Sequence, residues 1–403
     1  MDHPLPVVVQ HTGGASVNRL INHIPTGDYS VREIFEDNHN WDVYCFHNRE
    51  KLREVEIHEV EEMLSCKDSE RGFYIYYCPN CEESHFISFG CNSRICSNCG
   101  KNYTDKWAES FSKKMFNVPH RHIVLSISDR LWPYLYEDRS LWKVLMDSAI
   151  KAINDTFSYV LGRKITAGAV VVLHPFGRDL GFKPHIHVLV TEGGFDGKGQ
   201  FVHKLYIPAR ALRKTWQYQV LTRLKEALPK TKATSTMIDN LFHTFDEGFY
   251  VYLPKETRIR SKREIAKYVG RYVRHPAIAN SRISSYNGES VTIWYFDNDE
   301  KKQYRTMRTF EFIDAILQHI PDTQFKMIRY YGAYCRKWRM KFCRLLGYGS
   351  ITQGKMEDYP RKRTYHCPKC GSNMSFVEYW KDPPPQASLF GTRINDWTYI
   401  CSN

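Results

Sequence analysis

Two histidines flank one apolar residue in Pro184-His-Ile-His-Val-Leu-Val190. On a strand, successive side chains alternate between faces, so His185 and His187 point one way and Ile186 the other. Two imidazoles side by side are the start of a divalent-metal site. A solvated amphipathic strand would show the same spacing, so the surroundings have to decide. His174 ends the apolar run Ala167–Leu173, a buried strand, and the glycines and prolines of residues 175–184 read as a loop. The two strands then make a hairpin that brings His174 towards the pair as a third ligand, in a register that sequence does not set. A second His-x-His, His120 and His122, opens another strand. Its flanking Pro119 and Arg121 assign it to an edge or supporting role.

A second chemical element is the helical stretch from Lys262 to the helix-breaking Pro276. Tyr268 and Tyr272 are four apart and so share one face. A tyrosine pair at that spacing is ordinarily core. Here Lys267, Arg271 and Arg274 surround it, and cations of this kind meet a phosphate readily.

The cysteines form a third set. Cys78-Pro-Asn-Cys81 and Cys96-Ser-Asn-Cys99 are CxxC pairs separated by 14 residues, and a CxxC turn presents two thiolates to one tetrahedral ion. The spacing predicts one structural zinc held by Cys78, Cys81, Cys96 and Cys99. A closed four-thiolate site leaves no position for water and performs no chemistry. Cys66 and Cys91 are left over, as buried thiols or a second partial site. Cys367-Pro-Lys-Cys370 is half of a second knuckle, with Cys401 and His366 as available partners.

The elements that must position these groups follow from periodicity. Residues 1–28 read as a loose tail. Helices are expected over Ser30–Asn38, with Ser30 and Glu33 as a capping box, and over Arg49–Leu64. Further helices are expected over Asn102–Phe116, Leu141–Leu161 and the basic stretch Ile207–Ala227. Strands follow at Ala279–Tyr286, Val291–Phe296 and Gln303–Thr309, then helices at Phe310–His319 and Phe325–Leu346. The last is strongly basic and includes Arg336 and Arg339. The resulting division is a tail (1–28), a helical element (29–64), a zinc-binding domain (65–105), a main catalytic domain (115–310), a basic helical segment (311–350) and a C-terminal knuckle region (351–403).

Composition narrows the partners. The chain of 403 residues carries a net charge of +13 and 14% aromatic residues, a mixture that suits single-stranded nucleic acid. There is no apolar run of about 18 residues for a membrane span and no secretory signal. Cysteines spaced as CxxC pairs in such a chain read as metal ligands in a reducing compartment. No GxxxxGK[ST] nucleotide loop is present.

A cysteine-rich region is followed in order by Pro119-His-Arg-His122, Leu173-His-Pro-Phe-Gly177, Lys183-Pro-His-Ile-His-Val-Leu-Val-Thr-Glu-Gly-Gly194 and Tyr268-Val-Gly-Arg-Tyr272. That order resembles the HUH-class two-tyrosine rolling-circle transposases of bacterial insertion sequences, the insertion-sequence ninety-one group, from about Cys66 to Leu346. The resemblance implies an α+β fold: an antiparallel HUH sheet flanked by helices, preceded by a zinc-binding domain and followed by a helical and zinc-knuckle tail. It implies that His185 and His187 bind Mg²⁺ or Mn²⁺, and that Tyr268 and Tyr272 are nucleophiles forming a 5′-phosphotyrosine with DNA. It further implies structural Zn²⁺, single-stranded or hairpin transposon ends as partners, and a place in the prokaryotic cytoplasm with the nucleoid. One departure is Arg71-Gly-Phe-Tyr74, which stands where many relatives carry Gly-Gly-His. A replication initiator using the same nicking chemistry, or a non-enzymatic zinc-ribbon DNA-binding regulator, would share several of these features.

Overall fold

The computed structural model describes residues 29–203, 207–254, 262–273, 276–297, 299–337, 342 and 365–381, without the side chains of Tyr268 and of residues 271–273. The expected tail 1–28, Arg274, Arg339 and Cys401 lie outside the described residues. The helices are α1 (Val31–Glu36), α2 (Asn40–Asn48), α3 (Glu54–Leu64), α4 (Ser97–Lys114), α5 (Trp132–Glu137), α6 (Leu141–Leu161), α7 (Ala209–Ala227), α8 (Lys232–Thr244), α9 (Lys262–Val273) and α10 (Thr309–Leu317). The strands are β1 (Phe73–Cys78), β2 (Glu83–Ser88), β3 (His120–Ser126), β4 (Gly168–Phe176), β5 (Phe182–Thr191), β6 (Gly193–Phe195), β7 (Phe201–His203), β8 (Val251–Tyr252), β9 (Ile283–Tyr286), β10 (Ser290–Phe296), β11 (Lys302–Arg308), β12 (Ile328–Gly332) and β13 (Ser375–Trp380). The fold class is α+β.

The central sheet is five-stranded and antiparallel, in the order β12-β4-β5-β3-β8. Its two faces are both apolar but covered differently. Ile123, Leu125, Val171, Leu173, Ile186 and Val188 point to one side and meet α6 and α7 through Trp142, Leu145, Phe157, Leu212, Trp216 and Val220. Burial at these spacings is why both helices form where the apolar period predicts them. Val170, Val172 and Leu189 point to the other side, where Phe111 and Met115 of the α4 region and Ala266 and Val269 of α9 cover them.

The central sheet differs from the sequence reading at its edge. Ile328-Arg-Tyr-Tyr-Gly332, expected inside a basic helix, is β12 and pairs with β4 from Ile328 opposite Val172 to Gly332 opposite Gly168. The edge of β4 offers a ready row of backbone partners, and a β-branched and aromatic segment takes it. Helix resumes only at Arg336 and Lys337 among the described residues.

A second core lies outside this sheet. Strands β9, β10 and β11 form their own antiparallel sheet. Ile283, Val291, Ile293 and Met307 share a core with α10 and with Val31, Ile34, Phe35, Trp41 and Val60 of α1–α3. The N-terminal helices therefore dock on strands some 250 residues downstream in sequence; Tyr286 Oη, for example, donates to Asp37 at 2.8 Å. The segment 283–308, expected within the main catalytic domain, packs with the N-terminal helices. Among the described residues, no helix is long and apolar enough to cross a membrane.

Candidate active site

The hairpin of β4 and β5 decides the histidine geometry. Its register sets His174 directly opposite His185, and Val172 opposite His187. By strand alternation, His174, His185 and His187 share the face of Val170, Val172 and Leu189. The turn at 177–181 is tight: Gly177 N–H donates to the Gly181 carbonyl at 2.8 Å, and Leu180 takes a positive φ of 63°. One nitrogen from each of the three imidazoles lies within 4.8 Å of those of the other two. His174 Nδ1 is 3.3 Å from His185 Nε2, and His185 Nδ1 is fixed 2.7 Å from the Lys183 carbonyl.

Burial disfavours the charged form of these rings. It lowers the pKa of His185 and, together with its imidazole neighbours, puts that of His187 well below the ordinary value. Three imidazoles converging from one hairpin are a donor set that fits a divalent cation. A magnesium ion would draw further oxygen ligands from substrate or water.

The other His-x-His pair does not join this set as ligands. His122 faces Leu189 across β3 and β5, and its Nε2 lies 2.9 Å from Nδ1 of His187. It is therefore a support for His187. His120 is turned to Tyr334, with its Nε2 2.6 Å from the phenol oxygen. Pro119 and Arg121 pointed to an edge or supporting role; β3 lies inside the sheet, between β5 and β8, so it is no edge, and the partner of His122 depends on strand register.

Tyr268 and Tyr272 lie one turn apart on α9; their side chains, with that of Arg271, are outside the described residues. Ala266 and Val269 are buried against the face of the sheet that carries the histidines. Gly270 allows α9 to lie close on α4: a Cβ there would stand 3.1 Å from Thr104 Cγ2 and 3.5 Å from Ala108 Cβ. Lys262 Nζ donates to the Met115 carbonyl at 3.2 Å. Arg121, held by Glu192 at 2.7 Å, also donates to the Pro254 carbonyl at 3.2 Å, close before α9. Lys267 and Arg336 are exposed.

The cysteines fall into two groups that differ from the expected pairing. Cys96 and Cys99 stand with Cys66 and Cys91, while Cys78 and Cys81 stand with Cys367 and Cys370. The reason is the β1–β2 hairpin. Cys78 and Cys81 sit at its turn, and the other four cysteines sit near its base, about 17 Å away along a six-residue strand. The tandem CxxC pattern does not reveal that a hairpin separates the pairs. In the first group, Sγ distances are 3.6 Å for Cys66–Cys99, 3.7 Å for Cys91–Cys99 and 3.6 Å for Cys66–Cys96. Cys96 is also the N-cap residue of α4 and Cys99 lies in its first turn, so this cluster anchors the helix on which α9 rests.

Comparison with known proteins agrees with this architecture. Residues 37–127 match a family described as the transposase zinc-binding domain, and residues 168–341 match one described as a putative transposase. The chain is 31% identical over 299 residues to the transposase for insertion sequence element IS801 of Pseudomonas savastanoi pv. phaseolicola, covering 70% of each chain. It is 25% identical over 340 residues to the putative transposase y4qJ of Sinorhizobium fredii (strain NBRC 101917 / NGR234), covering 76% of this chain and 84% of the relative. No solved structure matches.

Proposed function

Since the chain belongs to the transposases of the insertion-sequence ninety-one group, we propose that it nicks and rejoins single-stranded DNA at its element's ends through a tyrosine–DNA bond. The observation that carries this reading is the convergence of His174, His185 and His187 on the sheet face that α9 covers.

In this reading the three imidazoles hold Mg²⁺ or Mn²⁺. A divalent ion held there supplies a Lewis acid for the scissile phosphate. The phenol of Tyr268 or Tyr272 attacks phosphorus in line. The bond from phosphorus to the 3′ oxygen breaks, the phenolic proton passes to that oxygen, and the 5′ side stays on tyrosine. An ordinary phenol is a weak nucleophile near neutral pH, which is why a charged partner is needed. The covalent bond conserves the phosphodiester energy. A 3′ hydroxyl can therefore reverse the step without ATP, in keeping with the absence of a GxxxxGK[ST] sequence. Two tyrosines allow one strand to be held while a second is cut.

Lys267, Arg271, Arg274, Arg336 and Arg339 are assigned to the DNA backbone, where cations position a strand without reading its sequence. Cys66, Cys91, Cys96 and Cys99 hold a structural zinc that fixes the start of α4 and, through it, α9. The work of such an enzyme lies with the DNA of the bacterial cytoplasm.

The test is cleavage of a labelled single-stranded oligonucleotide from the element's end. Cleavage that requires Mn²⁺ or Mg²⁺ and disappears in His185→Ala/His187→Ala supports the proposal. Cleavage indifferent to the ion, or to that double change, overturns it. A regulator that only binds DNA would shift the oligonucleotide and leave it intact.

A further inference from the structure

The second cysteine group joins residues nearly three hundred positions apart. Cys78 Sγ is 3.6 Å from Cys370 Sγ, and Cys367 Sγ is 3.9 Å from Cys81 Sγ. Four thiolates about 2.3 Å from a tetrahedral zinc stand about 3.8 Å from one another, the edge of the tetrahedron. A disulfide would need a sulfur separation of about 2.05 Å. The observed spacing is that of ligands around one ion.

The surroundings are built for it. Cys367 N–H donates to the Ser372 carbonyl at 2.8 Å, and Gly371 N–H to the Cys367 carbonyl at 2.7 Å, which turns Cys367 and Cys370 to one side. Gly371 has a φ of 74°, a conformation suited to glycine. Across the cluster, Lys369 Nζ pairs with Glu83 Oε1 at 2.5 Å. His85, 6% exposed, brings its Nε2 to 3.5 Å from Cys367 Sγ.

The C-terminal segment is otherwise held by strand pairing and by Tyr365 and Phe376, whose rings lie 4.5 and 5.6 Å from that of the buried Tyr76. Strand β13 pairs with β1 from Phe73 opposite Trp380 to Tyr77 opposite Ser375. Yet Phe376, Val377 and Tyr379 are 46%, 53% and 59% exposed. Among the described residues 365–381, Cys367 alone is buried. A small segment with so little buried surface of its own gains from a staple. The close fit to β1 is nevertheless specific: a Cβ at Gly72, where φ is +95°, would lie 2.2 Å from the Trp380 carbonyl oxygen.

We infer that Cys78, Cys81, Cys367 and Cys370 bind a second zinc ion, which staples the C-terminal β13 segment onto the N-terminal zinc-binding domain. The site is assembled from both ends of the chain, so the domain at 37–127 carries only half of it. Its outer side is open, since Cys370 is exposed and Cys81 partly so, whereas Cys66, Cys91, Cys96 and Cys99 are all buried. The C-terminal ion is therefore the first to leave when a chelator is added.

Zinc is counted on the purified full chain and on three variants. The wild type is expected to hold two ions per chain. Cys78→Ser/Cys81→Ser and Cys367→Ser/Cys370→Ser each hold one, and the combination of all four changes still holds one. Two-phase release to a colorimetric chelator is expected in the wild type, with the fast phase missing from every variant. A wild type with one ion, a pair variant that keeps two, or a combined variant that loses both overturns the inference. Should the serine variants fail to fold, cobalt-substituted Cys370→His decides. A weaker thiolate-to-cobalt charge-transfer band without loss of cobalt supports the site, and an unchanged band overturns it.

Discussion

His122 Nε2 lies 2.9 Å from His187 Nδ1, with the two rings 5.1 Å apart and inclined by only 10°. In the tautomer that leaves His187 Nε2 its lone pair, Nδ1–H donates to His122. A ligating imidazole is commonly oriented in this way by its other nitrogen. In the proposed metal site His122 is thus a positioning residue, placed by the β3–β5 register.

Replacing His122 with Phe keeps a ring of similar size and removes the acceptor. The expected outcome is an Mn²⁺ affinity lowered by about 10- to 100-fold, with nicking restored at high Mn²⁺. Metal titration followed by calorimetry, beside cleavage measured across Mn²⁺ concentrations, checks this. An unchanged affinity would remove His122 from the account.

The contact of α9 with α4 is equally specific. Gly270→Val overpacks the site beside Thr104 and Ala108, at a cost of about 1–3 kcal/mol. It is expected to lower cleavage more than it lowers the melting temperature, because it moves the helix bearing Tyr268 and Tyr272. Gly270→Ala is expected to be milder and to be relieved by Thr104→Ser, which removes the nearest methyl group. Equal loss in the single and double variants would contradict the contact.

Acid should weaken the fold within a defined window. Burial holds His120 down at about 4 and His319, near Arg94 and Arg139, at about 3, against an ordinary value of 6.5. The unfolded chain therefore takes up protons on these rings below pH 6.5, while the folded chain does so only below about 4 and 3. Their contribution to stability is full above pH 6.5 and is lost as pH falls towards 4. His319 stacks on Phe176 with ring centres 3.8 Å apart, so His319→Leu keeps an apolar neighbour there. Thermal melts from pH 7 to 4.5 should fall less steeply in that variant. An identical slope would mean that His319 is not the proton acceptor.

The sequence revealed local structure well and long-range pairing poorly. The apolar period of Leu141–Leu161 matches α6 to the residue, and Ser30 with Glu33 forms the anticipated capping box. Both signals are local. By contrast, His174 meets His185 only through hairpin register, which turn geometry sets. The division of the cysteines depends on a hairpin that parts the two CxxC pairs, and on a strand from the far end of the chain. The helical reading of Phe325–Leu346 failed at Ile328–Gly332 because the edge of β4 outweighs local preference. Helices α2, α5 and α8 are not expected from the apolar period. The hydrophobic period of α2 is short and broken, whereas α8 opens on a Thr231–Thr234 capping box, a local signal that the sequence carries.

The central claim is that a phenol on α9 becomes joined to DNA beside the His174, His185 and His187 cluster. Its most direct test is mass spectrometry of peptides from full-length protein incubated with a single-stranded element end and Mn²⁺. The account expects a nucleotide adduct on the peptide carrying Tyr268 or Tyr272, absent from Tyr268→Phe/Tyr272→Phe while that variant still melts cooperatively. An adduct on any other residue, or one that survives in the double variant, would contradict it.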